Sequence, residues 1–450
     1  MTYRTLFVRL GWAVLLSLGS TLFALLAPTP APVAAQEAPV VRPAAVVEDV
    51  RRVIARRYVL PEKRPALDAV LAEGLAAGRY DVTDPVELAA RINADLSRVG
   101  QDKHLTLSYD PRTFAALRSG EEGGEFDLAA YETEVRSGNH GVTRLLNLPG
   151  NVRYLEYTGF DWIGEESAEA IDTAMRFLAG GDAAIIDLRR NGGGSPEAVQ
   201  HMVSHFLKAG QPLVTFYMEG EAEPGVPHTL DNLAAPRMVG MPLYVLISGG
   251  TGSAAEEFAG HVSGFGIGEL VGENTAGAGF RNTYEPVGDG FALSVSIGRA
   301  VLASTGRDWE GTGHAPTIPT SADAAMNVAW HTALARLAQD GEGPDRDRLA
   351  ALADNVAALS QSRPSARSLD RYAGTYGTRG VRLAGETLAY MREGRVEEPL
   401  VPLGGDRFTW RSDPSRLLTF VVEGEEVTGF ELGTVDAPAR ARYQRGPAAD

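Results

Sequence analysis

Two short apolar runs, each ending in a glycine-rich turn that opens a helix, constrain this chain more than any other feature. The first lies in "AAIIDLRRNGGGSPEAV" from Ala183 and the second in "PLYVLISGGTGSAAEEFAG" from Pro242. Apolar runs of this length without polar alternation suit strands buried on both faces. Strand, turn and helix in succession form the repeating unit of an α/β sheet. The same alternation recurs in "HLTLSY", "NVRYLEYT", the helical "EESAEAIDTAMRFLAG" and "PEAVQHMVSHFLKA", and "LVTFYM". An α/β core is therefore expected over residues 101–340.

The flanks differ from this core. Residues 40–100 carry three helical patterns, with Asp84 and Pro85 as cap and first-turn residue of the third, so a small helical N-terminal element is expected. A charged helix and the polar stretch "SQSRPSARS" read as helix and linker over 341–368. Residues 369–447 are short β-like runs between glycine turns, which predicts a small antiparallel β domain. It holds no nucleophile, metal or phosphate motif, so its expected role is accessory.

Composition narrows the chemistry. The chain has no cysteine, which excludes disulfides, a thiolate nucleophile and thiolate metal sites. Arg4 and Arg9, the apolar run from Leu10 to Leu26, the prolines at 28, 30 and 32 and the "APVAAQE" that follows read as a secretory signal peptide cleaved after Ala35. The expected location is periplasmic or secreted, with no integral membrane segment after cleavage. Removing residues 1–35 takes away two arginines and no acid, so the formal charge goes from -16 to -16 minus 2, or -18. So acidic a chain repels phosphates, and neither nucleic acid nor anionic lipid is an expected partner.

Ser253 starts the helix after the second glycine turn, where the first-turn amides and the helix dipole face any negative charge that develops beside the hydroxyl. That placement suits acyl transfer. Ser253 with Glu256 also spells S-x-x-E, a capping box that serves helix stability alone. The turn at Gly192–Gly194 lacks the lysine of a phosphate loop and the G-x-G-x-x-G order of a dinucleotide site, so an oxyanion is the better use of its amides.

"DLRRNGGG", "SGGTGSAAEEFAG" and "VGENTAGAG", in that order, resemble the tail-specific (C-terminal processing) serine peptidase family, whose core is a crotonase-like α/β fold. The resemblance covers roughly residues 100–320. It implies peptide hydrolysis with Ser253 as nucleophile and the amides of Ala254 and Gly193 as oxyanion hole. The bacterial processing enzymes of the family carry a lysine base where this chain has Ala278, and the only lysines here are Lys63, Lys103 and Lys208. The usual Ser-Lys dyad is excluded. The short segment between "HLTLSY" and "NVRYLEYT" also leaves no room for a PDZ domain.

A second branch of the family, containing the interphotoreceptor retinoid-binding proteins and the tricorn core protease, uses histidine in its peptidases. "QDKHLTLSY" resembles that branch's Asp-x-His strand and makes His104 the base; "DWEGTGHAPTIP" resembles the segment that supplies a glutamate, here Glu310. Neutral imidazole can take the serine proton while a carboxylate fixes its tautomer, which predicts a rate rising through pH about 6.5 to 7.

The remaining signals are weaker. His201 and His205 stand at i and i+4, but Met202 occupies the glutamate place of H-E-x-x-H and no acid follows closely, so they read as surface histidines. Glu256 and Glu257 read as helix-start charges. No cofactor or metal is expected. The expected function is a secreted or periplasmic serine peptidase acting on peptides or unfolded protein. The alternatives are a binding protein for peptide or apolar ligand on the same fold, and an esterase with the same triad.

Overall fold

A computed structural model describes residues 41–446, apart from 122–127, 289, 362, 394 and 396. The expected signal peptide lies outside these residues. Three helices open the described chain: α1 (Pro43–Arg57), α2 (Arg64–Ala76) and α3 (Pro85–Gly100). Asp84 caps α3, its carboxylate accepting the Glu87 N–H at 2.8 Å. Strand β1 (Thr106–Tyr109) and helices α4 (Pro111–Glu121) and α5 (Leu128–Ser137) follow.

The core alternates as the sequence requires. Strands β2 (Val142–Leu148) and β3 (Val152–Tyr157) lead to α6 (Glu165–Leu178), β4 (Ala183–Asp187), α7 (Pro196–Ser204), β5 (Val214–Met218), β6 (Leu243–Ile247), α8 (Ala254–Gly264) and β7 (Glu269–Gly272). Beyond them come β8 (Phe280–Val287), β9 (Phe291–Leu302), β10 (Ile318–Pro319), α9 (Ala325–Asp340) and α10 (Gly343–Ala358).

One sheet has the order β10-β7-β6-β4-β3-β2, parallel except for β2. Its strands feed two cores by alternation. Ala184, Ile186, Val245 and Ile247 pack with apolar residues of α6, α7 and α8, while Ala183, Ile185, Tyr244 and Leu246 pack with those of α9 and α10. Both faces are covered, which is why these strands read as continuous apolar runs. In a second sheet β9 is flanked by β8 along one edge and by β1 and β5 along the other. Val46, Val50, Ile54 and Leu88 of the N-terminal helices pack against Phe291, Leu293 and Val295 of β9.

The C-terminal region is a meander of eight antiparallel strands: β12 (Gly374–Tyr376), β13 (Arg379–Ala384), β14 (Thr387–Arg392), β15 (Glu398–Gly405), β16 (Arg407–Trp410), β17 (Arg416–Glu423), β18 (Glu426–Thr434) and β19 (Ala437–Gln444). A bridge between Tyr376 and Arg445, with the Gly446 N–H on the Thr375 carbonyl at 2.8 Å, closes the first strand onto the end of the last. Closure removes the free edges of an open sheet.

The boundary at 341–368 differs from the expected linker. Within it β11 (Arg363–Ser365) pairs parallel with β15. Val401, Leu403 and Leu417 of the β region also share a core cluster with Leu352, Val356 and the strands of the parallel sheet. The polar letters of "SQSRPSARS" hid this join because its contacts are made by backbone and by residues farther along the chain. No helix among the described residues is long and apolar enough to cross a membrane.

This shared core predicts one cooperative unit. Leu352→Ala should lower global stability by about 2–5 kcal/mol, read as a single urea transition by near-UV circular dichroism. A separate early transition of the β region would contradict the shared core.

Candidate active site

Strands β4 and β6 are neighbours in the parallel sheet, so the glycine turns that follow them meet at its carboxyl edge, where open α/β sheets place their sites. Asn191 binds the two turns together. Fully buried, it donates from Nδ2 to the Tyr157 carbonyl at 3.0 Å, and its own carbonyl accepts the Gly252 N–H at 3.0 Å.

Ser253 sits at the meeting point with φ 50° and ψ -120°. A positive φ in a non-glycine residue costs about 1–3 kcal/mol and persists only where the surroundings impose it. An ordinary N-cap lies in the β region. The capping box does form, with the Ser253 N–H on Glu256 Oε2 at 3.0 Å. Cap and strained elbow are thus the same residue, and helix stability alone does not require the strain. The Ala254 N–H and the Gly194 N–H make no hydrogen bond to a described residue, and both residues line the small cavity at Ser253. The Gly193 amide is a correction to the sequence reading. It is committed to Asn191 Oδ1 at 2.9 Å, because the asparagine side chain folds back on the turn that follows it. Gly193 serves instead as a wall: a Cβ there would lie 2.7 Å from the Ser253 Cβ.

Glu256 has a larger part than the sequence reading gave it. It stands in the first turn of α8 as expected, but it is fully buried and does more than answer the helix dipole. Besides the Ser253 amide, its carboxylate accepts the Thr275 hydroxyl at 2.6 Å and the N–H groups of Gly277 and Ala278, both at 2.7 Å. The next two amides, Gly279 and Phe280, donate to Glu310 Oε2 at 2.6 and 3.0 Å. Four consecutive amides are therefore shared between two carboxylates, one on the Ser253 helix and one in the loop after β9. Glu257 is likewise buried, 3.5 Å from His261.

His104 lies in the loop between α3 and β1, its N–H on Asp102 Oδ1 at 2.8 Å. One ligand atom each of Asp102, His104 and Glu310 falls within 4.8 Å of the others. His104 Nδ1, Asp102 Oδ2 and Glu310 Oε1 are buried without hydrogen bonds, as is the Tyr58 hydroxyl. Burial holds His104 below the ordinary imidazole value of 6.5, outweighing the Asp102 charge. Burial first, and the Asp102 charge second, push Glu310 up to about 7.

The structure thus brings His104 and Glu310 together and adds Asp102, which the sequence reading used only to recognise the strand. Ser253 stands in the adjoining cavity, whose wall includes Ala278, Gly279, Phe280 and Trp309; Phe280 also borders the cavity of Asp102 and Glu310. Among the described residues no hydrogen bond joins Ser253 to His104. His201 and His205, expected at the surface, are buried and share the carboxylate of Asp172 on α6. Their acid arrives from an upstream helix, so local spacing could not reveal it. These three residues and the Asp102 group are the described clusters able to hold a metal ion.

Against known proteins, residues 151–320 match peptidase family S41, and residues 35–132 match the N-terminal domain described for that family in eukaryotic IRBP. The chain is 29% identical over 194 residues to carboxyl-terminal-processing peptidase 2, chloroplastic, of Arabidopsis thaliana, covering 41% of this chain and 35% of that one. It is 27% identical over 143 residues to the carboxy-terminal processing protease CtpB of Bacillus subtilis, covering 31% and 29%. The chain thus spans about a third of the length of these curated relatives. Among solved structures, a photosystem II D1 C-terminal processing protease aligns with a TM-score of 0.40 and 17% identity, over 63% of this chain and 95% of that one.

The Glu256 contacts carry a prediction. Glu256→Ala strands four donors, three of them buried, and should cost about 3 kcal/mol or more, measured by urea denaturation. Glu257→Gln, with no such set of donors, should cost clearly less; equal losses would remove the special role of Glu256.

Proposed function

This chain belongs to peptidase family S41, and we propose that it hydrolyses peptide bonds through an acyl-enzyme on Ser253, with His104 as general base. The observation that carries this reading is the strained backbone of Ser253 beside two uncommitted amides. Strain at a helix start is explained when the hydroxyl must stand clear of the turn and face a substrate carbonyl.

The steps follow from the groups present. The Ser253 oxygen attacks the scissile carbonyl carbon as its proton passes to the His104 imidazole. The Ala254 and Gly194 N–H groups stabilise the oxyanion, Gly194 taking the part first assigned to Gly193. Collapse breaks the carbon–nitrogen bond, and the imidazolium returns the proton to the leaving amine. Water, activated by the same imidazole, then releases the acid and restores Ser253. Glu310 holds the imidazolium in place, and Asp102 fixes the loop that carries it. Phe216, Phe280, Ala300 and Trp309 line the Ser253 cavity beside Glu257, Arg281 and Asn282, a wall of mixed polarity that can take an extended peptide. The reading includes export through residues 1–35 and peptides or unfolded protein as substrate.

Labelling with a fluorophosphonate tests the proposal. An adduct on Ser253, located by peptide mass spectrometry and lost in Ser253→Ala and His104→Ala, is expected. No adduct on folded wild-type protein would make Ser253 only a cap. Gly193→Ala should lose stability, because it forces a side chain into φ 119°, and at least tenfold in kcat/KM per folded molecule, because its methyl would meet the Ser253 Cβ and lie 3.0 Å from the Ala254 nitrogen; an unchanged rate would move the reacting carbonyl elsewhere.

The pH profile follows from the two shifted groups. Burial lowers His104 from the ordinary imidazole value, while Glu310 is raised to about 7 and becomes an anion only above that. The acid limb of kcat/KM should therefore lie near 7 in the wild type and move to lower pH in Glu310→Gln. A limb that stays in place would take Glu310 out of the relay.

A further inference from the structure

We propose that Asp172, His201 and His205 form a binding site for one divalent transition-metal ion of the zinc class, separate from the serine site. His201 lies on α7 and His205 closes that helix, while Asp172 comes from the neighbouring α6. All three are buried, at 4%, 8% and 0% exposure. Each imidazole places Nε2 3.0 Å from the same oxygen, Asp172 Oδ1.

The tautomer of His205 decides what that geometry means. Its Nδ1 lies 3.1 Å from the Pro236 carbonyl, which can only accept, so Nδ1 carries the proton. In the neutral ring Nε2 is then a lone pair facing a carboxylate oxygen, and it makes no hydrogen bond. Two acceptors held face to face in a buried place repel. A cation between them turns the repulsion into two bonds. A ring N–H tied to a backbone carbonyl while the other nitrogen meets the cation is also how metal-bound imidazoles are oriented.

The donor set fits the ion. Two imidazoles and one carboxylate suit zinc, whose tetrahedral bonds of about 2.0–2.1 Å set ligand atoms about 3.3 Å apart. The three ligand atoms here fall within 4.8 Å of one another, with Nε2 to oxygen separations of 3.0 Å. A bound ion would pin α7 to α6, and α7 starts directly after the Gly192–Gly194 turn. The site would then brace the oxyanion turn from behind without touching substrate.

Zinc chloride titrated calorimetrically into EDTA-stripped protein tests the proposal. One equivalent should bind wild type and His104→Ala, and raise the Tm of both. His205→Gln and Asp172→Asn should bind at least 100-fold more weakly and gain no Tm. X-ray absorption at the zinc edge of loaded wild type, which needs no variant, should show two imidazole ligands. No uptake, uptake unchanged in the two cluster variants, loss of uptake in His104→Ala, or a single imidazole in the spectrum would each overturn the site, the last two assigning the ion to the Asp102 group.

Discussion

Four backbone amides in a row, Gly277 to Phe280, donate to two buried carboxylates, and most of the candidate site depends on that short ribbon. Glu256 takes the first two amides and also the Ser253 N–H, so the elbow and the ribbon cannot move independently. Glu310 takes the last two with one oxygen and leaves the other buried beside His104 and Asp102. A carboxylate buried with several donors resists displacement, because removing any partner exposes an unmet charge in a place water does not reach. The ribbon therefore ties the helix that carries the serine to the loop that carries Glu310, whose free oxygen lies close to His104. No side chain on it needs to be polar for this to work, and "GAGF" contains none.

The sheet supplies the frame on which this sits. Because β4 and β6 are adjacent and parallel, two turns separated by some sixty residues emerge side by side, and Asn191 bonds across them. The two faces of the sheet are packed by different helices, so the strand ends are held from both sides. Strain at Ser253 of about 1–3 kcal/mol is affordable in such a frame. It would relax in a turn with fewer anchors.

The fold was legible where the physics is local. Continuous apolar runs marked the two-sided sheet, Asp84 and Pro85 marked the start of α3, and glycine turns marked the C-terminal meander. Ser253 was legible as a helix start and Glu256 and Glu257 as helix-start charges, but periodicity does not show how deeply α8 is buried. Gly193 was assigned a free amide because the backward fold of Asn191 is a side-chain choice that sequence leaves open. His201 and His205 were read as exposed for a related reason: the carboxylate they share stands on another helix, and spacing along α7 carries no information about it. The join between β11 and β15 was missed for the same cause.

Ala278 shows how the base and the ribbon constrain one another. Its amide is held by Glu256 and its methyl lines the Ser253 cavity, so the position is both rigid and next to the serine. In the bacterial processing enzymes that this chain resembles, a lysine stands at the corresponding place. A methyl there offers no proton acceptor, while the loop between α3 and β1 brings an imidazole close to Glu310 at the far end of the same ribbon. With His104 as the proposed base, α3 would orient that imidazole as well as cover the second sheet. On that proposal the packing of α1 to α3 on β9 would be part of the chemistry, and substitutions in that core should affect turnover before they unfold the parallel sheet.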